Sequence, residues 1–138
     1  MVFVDDIERL TLENEDYRRV IHTGNYSQLV LMSIPVGEDI ELEIHPETDQ
    51  FFRIEQGEGE LKIGYNQDRI HKFKDNFGLV VPSNTYHHIV NTGNVPIKLY
   101  TIYSPPQHPP NKVEHVKSPS KEKLSERDKL LLLLMSLW

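Results

Sequence analysis

Short apolar runs, cut apart by turn residues, pattern the first hundred positions of the chain. Residues 27–34 (SQLVLMSI) form a continuous apolar run stopped by Pro35-Val36-Gly37, which predicts a buried strand. Residues 38–45 alternate, Asp39, Glu41 and Glu43 falling between Ile40, Leu42 and Ile44, with the period of two of a strand. Residues 50–56 follow, then Gly57-Glu58-Gly59 as a turn, then residues 60–65. Asn66-Gln67-Asp68 predicts a hairpin tip before residues 69–73. Residues 78–81, 86–91 and 96–103 complete the set, the last two joined through Thr92-Gly93-Asn94. Gly57, Gly59 and Gly93 are expected to supply positive φ at turns. Strand-like segments spaced about 8–12 residues apart predict an all-β sandwich or barrel. Only residues 5–17 and the leucine-rich C-terminus look helical.

The strand pattern stops near residue 103. Five of the nine prolines fall between residues 104 and 123, among Ser, Lys and Glu, so that stretch is expected to be an extended surface segment or linker. The organisation expected is a domain over 1–103, a Pro-rich segment over 104–123 and an apolar, partly helical tail over 124–138. Ser125 and Asp128 are spaced to cap a helix in that tail. A chain of 138 residues closes one core without staples. The net charge of −6 argues against a nucleic-acid partner. With no cysteine there are no disulfides, thiolate metal sites or Cys nucleophile, which suits a reducing, cytoplasmic setting. Residues 1–6 lack the basic and apolar regions of a signal peptide. The apolar run 130–135 is far shorter than the roughly 20 residues a membrane span needs, so no transmembrane segment is expected. No phosphate-cradling glycine loop, G-x-S-x-G elbow or zinc-finger spacing occurs.

The chemistry concentrates in residues 37–57. Glu43 and His45 sit two apart and so share a face. Gln50 follows Pro46-Glu47-Thr48-Asp49, which reverses the chain and lets Gln50 face back toward His45. Far along the chain, His87 stands after the turn Pro82-Ser83-Asn84-Thr85. Two imidazoles, a carboxylate and an amide oxygen converging inside a barrel would bind a divalent transition metal. The 2-His-1-carboxylate composition is typical of non-haem iron. The plainer alternatives are hydrogen-bonded histidines, a Glu43 that orients a ligand without touching metal, and a Gln50 amide that holds the turn. His88 falls on the opposite strand face; His22, His71 and His115 read as surface or tail residues, while His108 is placed to cap the barrel mouth. Phe52, two after Gln50, faces the same cavity, with Tyr86 and Tyr103 as further candidates for the substrate pocket; core packing explains all three equally.

These stretches resemble the two motifs of the cupin superfamily. Gly37, Glu43, His45, Gln50 and Gly57 are in register with G-x5-H-x-H-x(3–4)-E-x6-G. Pro82, Asn84, His87 and Asn91 are in register with G-x5-P-x-G-x2-H-x3-N, with Asn76 at the place of its first glycine. Arg18-Arg19-Val20-Ile21, Thr23-Gly24 and Tyr103-Ser104-Pro105-Pro106 with His108 are similar to one subgroup of small, bacterial-type, single-domain cupins. The resemblance covers residues 5–115. It implies a double-stranded β-helix, a jelly-roll-like sandwich closing to a barrel around one mononuclear metal. Manganese, iron, nickel, copper or zinc would be held by Glu43, His45, Gln50 and His87. Glu43 stands where the superfamily commonly has a histidine and Gln50 where it has a glutamate, so the total ligand charge is unchanged. Two readings stay open. One is a metal centre that binds a small organic acid or sugar, with or without its oxidation, decarboxylation or isomerisation. The other is a non-catalytic module for sensing, metal storage or oligomerisation, since no general acid or base accompanies the ligands. A sugar phosphate would want a cation near the metal. On the candidate strands only Arg53 and Lys62 are close, and Arg53 alternates away from Gln50. A homodimer is expected, pairing through exposed sheets.

Overall fold

The computed structural model describes residues 1–119. The elements are α1 (Ile7–Glu13), β1 (Arg18–Thr23), β2 (Gln28–Ile34), β3 (Asp39–Glu43), β4 (Asp49–Gln56) and β5 (Gly59–Ile63). They continue as β6 (Arg69–Phe73), β7 (Gly78–Val81), β8 (His87–Asn91), β9 (Ile97–Ser104) and β10 (Val113–Glu114). A six-stranded sheet, in the order β10-β1-β2-β9-β4-β7, faces a four-stranded sheet, in the order β3-β8-β5-β6. All pairings are antiparallel. Every expected strand is present, and the all-β reading holds. Among the described residues no helix is long and apolar enough to cross a membrane.

The core lies between the sheets, where Val30, Met32, Ile34, Phe52, Ile54, Ile89, Ile97 and Leu99 are fully buried. β2 is apolar on both faces because α1 packs on the outer face of β2, β4 and β9. Asp6 starts that helix by accepting a hydrogen bond from the Arg9 amide at 3.1 Å.

Two strands join those expected. β1 (RRVIHT) hides its strand character behind charged residues, and β10 is two residues held by pairing with β1. The Pro-rich stretch also differs from a linker. Gln28 clasps it, donating from Nε2 to the His108 carbonyl at 2.7 Å while its Oε1 accepts from the amides of Gln107 and His108. Lys117 then pairs with Asp39 of β3. Residues 107, 108 and 117 of that stretch are thus tied to β2 and β3. The expected helical tail over 124–138, with its Ser125 cap, lies outside the described residues.

Three local features aim the site. Gly57 has φ +98°, as expected, and a Cβ there would come to 3.0 Å from the Ile97 Cα. Gly59 and Gly93 do not have positive φ; at Gly59 a Cβ would collide with the Val90 carbonyl, so close packing requires that glycine. Asn76 (φ 71°) and Asn84 (φ 59°) adopt the left-handed conformation where the cupin pattern places glycine, and Asn tolerates it better than most residues. The third feature is a β-bulge. Ile40 pairs with Ile89 and Glu43 with His87, so three steps along β3 match two along β8. Strict alternation would leave Glu43 outside with Asp39 and Glu41; the bulge turns it inward.

Candidate metal centre

Three of the four expected ligands form one group. Glu43 Oε1 lies 3.2 Å from both His45 Nε2 and His87 Nε2. The three candidate ligand atoms lie within 4.8 Å of one another, a spacing that could hold a metal ion. Both imidazoles are buried, and Glu43 is half-buried. Burial pushes the Glu43 carboxyl up, but the two imidazoles beside it, when they carry positive charge, outweigh that and hold it at about 2. It is an anion at any ordinary pH.

The hydrogen bonds around this group leave it short of positive charge. His87 Nδ1 lies 2.9 Å from the Thr85 carbonyl, which only accepts, so Nδ1 carries the proton. In a neutral ring Nε2 is then an acceptor, and it faces a carboxylate oxygen that also only accepts. A cation must lie between them, either a proton on Nε2 or a metal ion. His45 Nε2 approaches the same oxygen outside hydrogen-bonding geometry and is buried without a partner.

Gln50 adds a further unpartnered acceptor. Thr101 spends its hydroxyl proton on the Phe51 carbonyl at 2.8 Å, so its oxygen accepts from Gln50 Nε2 at 3.0 Å. That fixes the amide orientation. Gln50 Oε1 is left buried and without a partner. Gln50 pairs in register with Tyr103 of β9, and Tyr103 meets the His45 ring edge-on at 5.7 Å. The grouped donors, two imidazoles and one carboxylate, fit a divalent transition ion.

The aromatic neighbours divide. Phe52 is fully buried, its ring centroid 6.4 Å from that of His87. Tyr103 is buried beside His45, and its hydroxyl lies 3.2 Å from His108 Nε2. Burial pushes the Tyr103 phenol well above its ordinary value; Glu43 adds to this and Arg18 opposes it. Burial likewise pulls His108 down to about 4, with Arg18 and Lys112 assisting, so it is neutral at pH 7. Tyr86 is not brought to the group. It directly precedes His87, alternates away from it, and packs edge-on against the exposed Tyr65 at 5.3 Å. His88 faces outward as expected, bonded to Asp39 and Gln67.

A family model described as "Cupin domain" matches residues 30–103, more than half of the chain. This chain belongs to the cupin family. The cupin is 47% identical over 119 residues to the Bacillus subtilis protein YrkC, covering 84% of this chain and 64% of YrkC. It thus spans just under two thirds of that relative. It is 46% identical to protein L612 of Acanthamoeba polyphaga mimivirus, covering 82% of this chain and 71% of L612. The crystal structure of BH2720 from Bacillus halodurans superposes with a TM-score of 0.81 at 46% identity, covering 83% of this cupin and 89% of that chain.

Gln28, Thr101 and Arg18 belong to the cupin's interior and were missed in the sequence. Thr101 and Gln28 carry no motif. Arg18 had a signal, since two residues on, Val20 shares its strand face and is a core residue.

Proposed function

We propose that this cupin holds one divalent transition metal through Glu43, His45, His87 and the Gln50 amide oxygen, and binds a small polar ligand, an organic acid or a sugar, at a position they leave open. The observation that carries this is the acceptor-to-acceptor meeting of His87 Nε2 and Glu43 Oε1, reinforced by the unpartnered His45 Nε2 and Gln50 Oε1. Leaving such atoms buried costs about 1–3 kcal/mol each, and a metal ion would recover it. Manganese, iron, nickel, copper and zinc all suit these ligands. The bound metal would supply a Lewis-acid or O₂-binding centre for oxidation, decarboxylation or isomerisation.

The chain does the rest. Thr85 and Thr101 orient His87 and Gln50, and the buried Phe52 ring packs edge-on beside His87. A binding module without turnover is the second reading, supported by the local acids and bases. Glu43 and His108 are pulled down and Tyr103 is pushed up, so none of the three exchanges a proton near pH 7. Elemental analysis of protein reconstituted anaerobically tests the metal, with about one equivalent per chain expected. Less than about a tenth of an equivalent would overturn the proposal. Turnover of small acids and sugars by the loaded protein separates enzyme from module.

We also propose a cytoplasmic homodimer that needs no nucleic acid. The lack of cysteine supports the compartment. The outer face of the six-stranded sheet supports the dimer: Val80 is 70% exposed there, in register with Phe51, whose ring meets Tyr100 at 6.4 Å.

A further inference from the structure

One apolar row stays partly open on the outer face of the six-stranded sheet. Val80 of β7 pairs in register with Phe51 of β4, Phe51 with Ile102 of β9, and Ile102 with Leu29 of β2. Their strand neighbours Val81, Phe52, Tyr103 and Val30 belong to the core, so all four point outward. Val80 is 70% exposed and the other three are half-buried. The row crosses three strand spacings, about 14 Å. The outer face of the smaller sheet is unlike it. That face carries Asp39, Glu41, His88 and Lys62, and both His88 and Lys117 bond Asp39 there.

An open apolar row of this kind marks a contact surface. A second copy laid sheet to sheet would meet only the same four side chains, three of them already half-covered. That falls well short of the roughly 800 Å² per partner that a stable dimer buries. The chain itself supplies apolar surface of the right kind. Residues 130–138 (LLLLLMSLW) are uncharged and apolar except for Ser136. The described residues end at 119, two beyond Lys117, whose ammonium is held by Asp39 and Glu41 of β3. Residues 120–129, polar except for Leu124, span up to about 33 Å when extended. The two sheets lie only about 10 Å apart, so the row is within reach of that length.

We propose that residues 130–138 lie across the Val80–Phe51–Ile102–Leu29 row and complete the homodimer interface there. This deepens the homodimer reading above and rests on it. The chain has no cysteine, so introduced thiols report contact without background. Full-length protein carrying Val80→Cys is combined, one at a time, with Leu130→Cys, Leu132→Cys or Leu134→Cys, oxidised mildly, and the bridges are located by peptide mass. At least one of the three positions should bridge to residue 80. The same positions paired with Lys62→Cys, on the charged face of the smaller sheet, should bridge at least about tenfold less. Light scattering on the full chain supplies the second arm: the wild type should be a dimer, and Leu132→Asp/Leu134→Asp should be a monomer that keeps the β-type circular dichroism of the wild type. Val80→Asp should do the same from the other side of the contact. A dimer that survives the aspartates at 132 and 134 overturns this inference alone, and one then broken by Val80→Asp is a bare sheet-to-sheet pair. Equal bridging to residues 80 and 62, or bridging to neither, also overturns it. A monomeric wild type overturns the homodimer reading and this inference together.

Discussion

At one end of the sandwich interior Ile34 pairs with Ile97 and Ile54 with Leu99, all fully buried. At the other end Gln28, Tyr103 and Gln50 lie in one row across β2, β9 and β4, and the Tyr103 ring meets His45, which groups with Glu43 and His87 of the smaller sheet. Each end contains a buried side-chain amide. At the apolar end Asn91 Nδ2 donates to the carbonyls of Ile34 and Val95, both at 3.0 Å, and its Oδ1 accepts from the Gly93 amide at 2.9 Å. Every group of that amide is used. At the polar end Gln50 leaves its oxygen unmatched, and His45 its nitrogen. A buried amide that serves the fold is saturated by the fold; an unmatched buried oxygen calls for an explanation, and the proposed metal supplies one.

The largest expected effect breaks the polar end. His45→Ala and His87→Ala should each abolish metal uptake, and with it a stabilisation of about 4 kcal/mol at metal a thousandfold above Kd. Thermal melts with and without metal check this: the wild type should shift and the variants should not. Ile97→Ala at the apolar end should cost about 3 kcal/mol in urea unfolding, with metal stoichiometry unchanged. The paired amides sharpen the contrast. Asn91→Leu, stranding backbone carbonyls, should cost about 2 kcal/mol and leave metal affinity alone. Gln50→Leu should leave metal-free stability nearly unchanged and weaken metal about tenfold, or 1.4 kcal/mol. Equal behaviour of the two variants would erase the distinction.

The smallest effect is a pH dependence. His108 falls from its ordinary 6.5 to about 4 in the folded protein, so the unfolded chain takes up the proton first. Its contribution is complete above pH 6.5 and is lost as the pH falls toward 4. Allowing for its partial exposure, the loss is about 1 kcal/mol. Metal-free His108→Gln should show a flatter stability profile over that range.

Much of the fold was legible because apolar periodicity is a local property. The run in β2 and the turn residues between β4 and β5 read directly as structure. β1 was not legible, because Arg18 and Arg19 look like a solvated stretch and the burial of Arg18 depends on β2 and β10. Spacing offered Glu43, His45, Gln50 and His87 as candidates, and the structure groups Glu43, His45 and His87; Tyr86 was offered for the pocket, but strand alternation sends it to the other face.

The sequence by itself determined most of the strands and turns and offered Glu43, His45, Gln50 and His87 as candidate ligands, since each follows from neighbours along the chain. Tertiary structure alone decided that Glu43 faces inward, because the bulge exists only where β3 pairs with β8. It also decided that Gln50 offers its oxygen and not its nitrogen, because Thr101, fifty-one positions away, takes the amide proton. Whether a buried atom is satisfied depends on two groups that only the closed fold brings together.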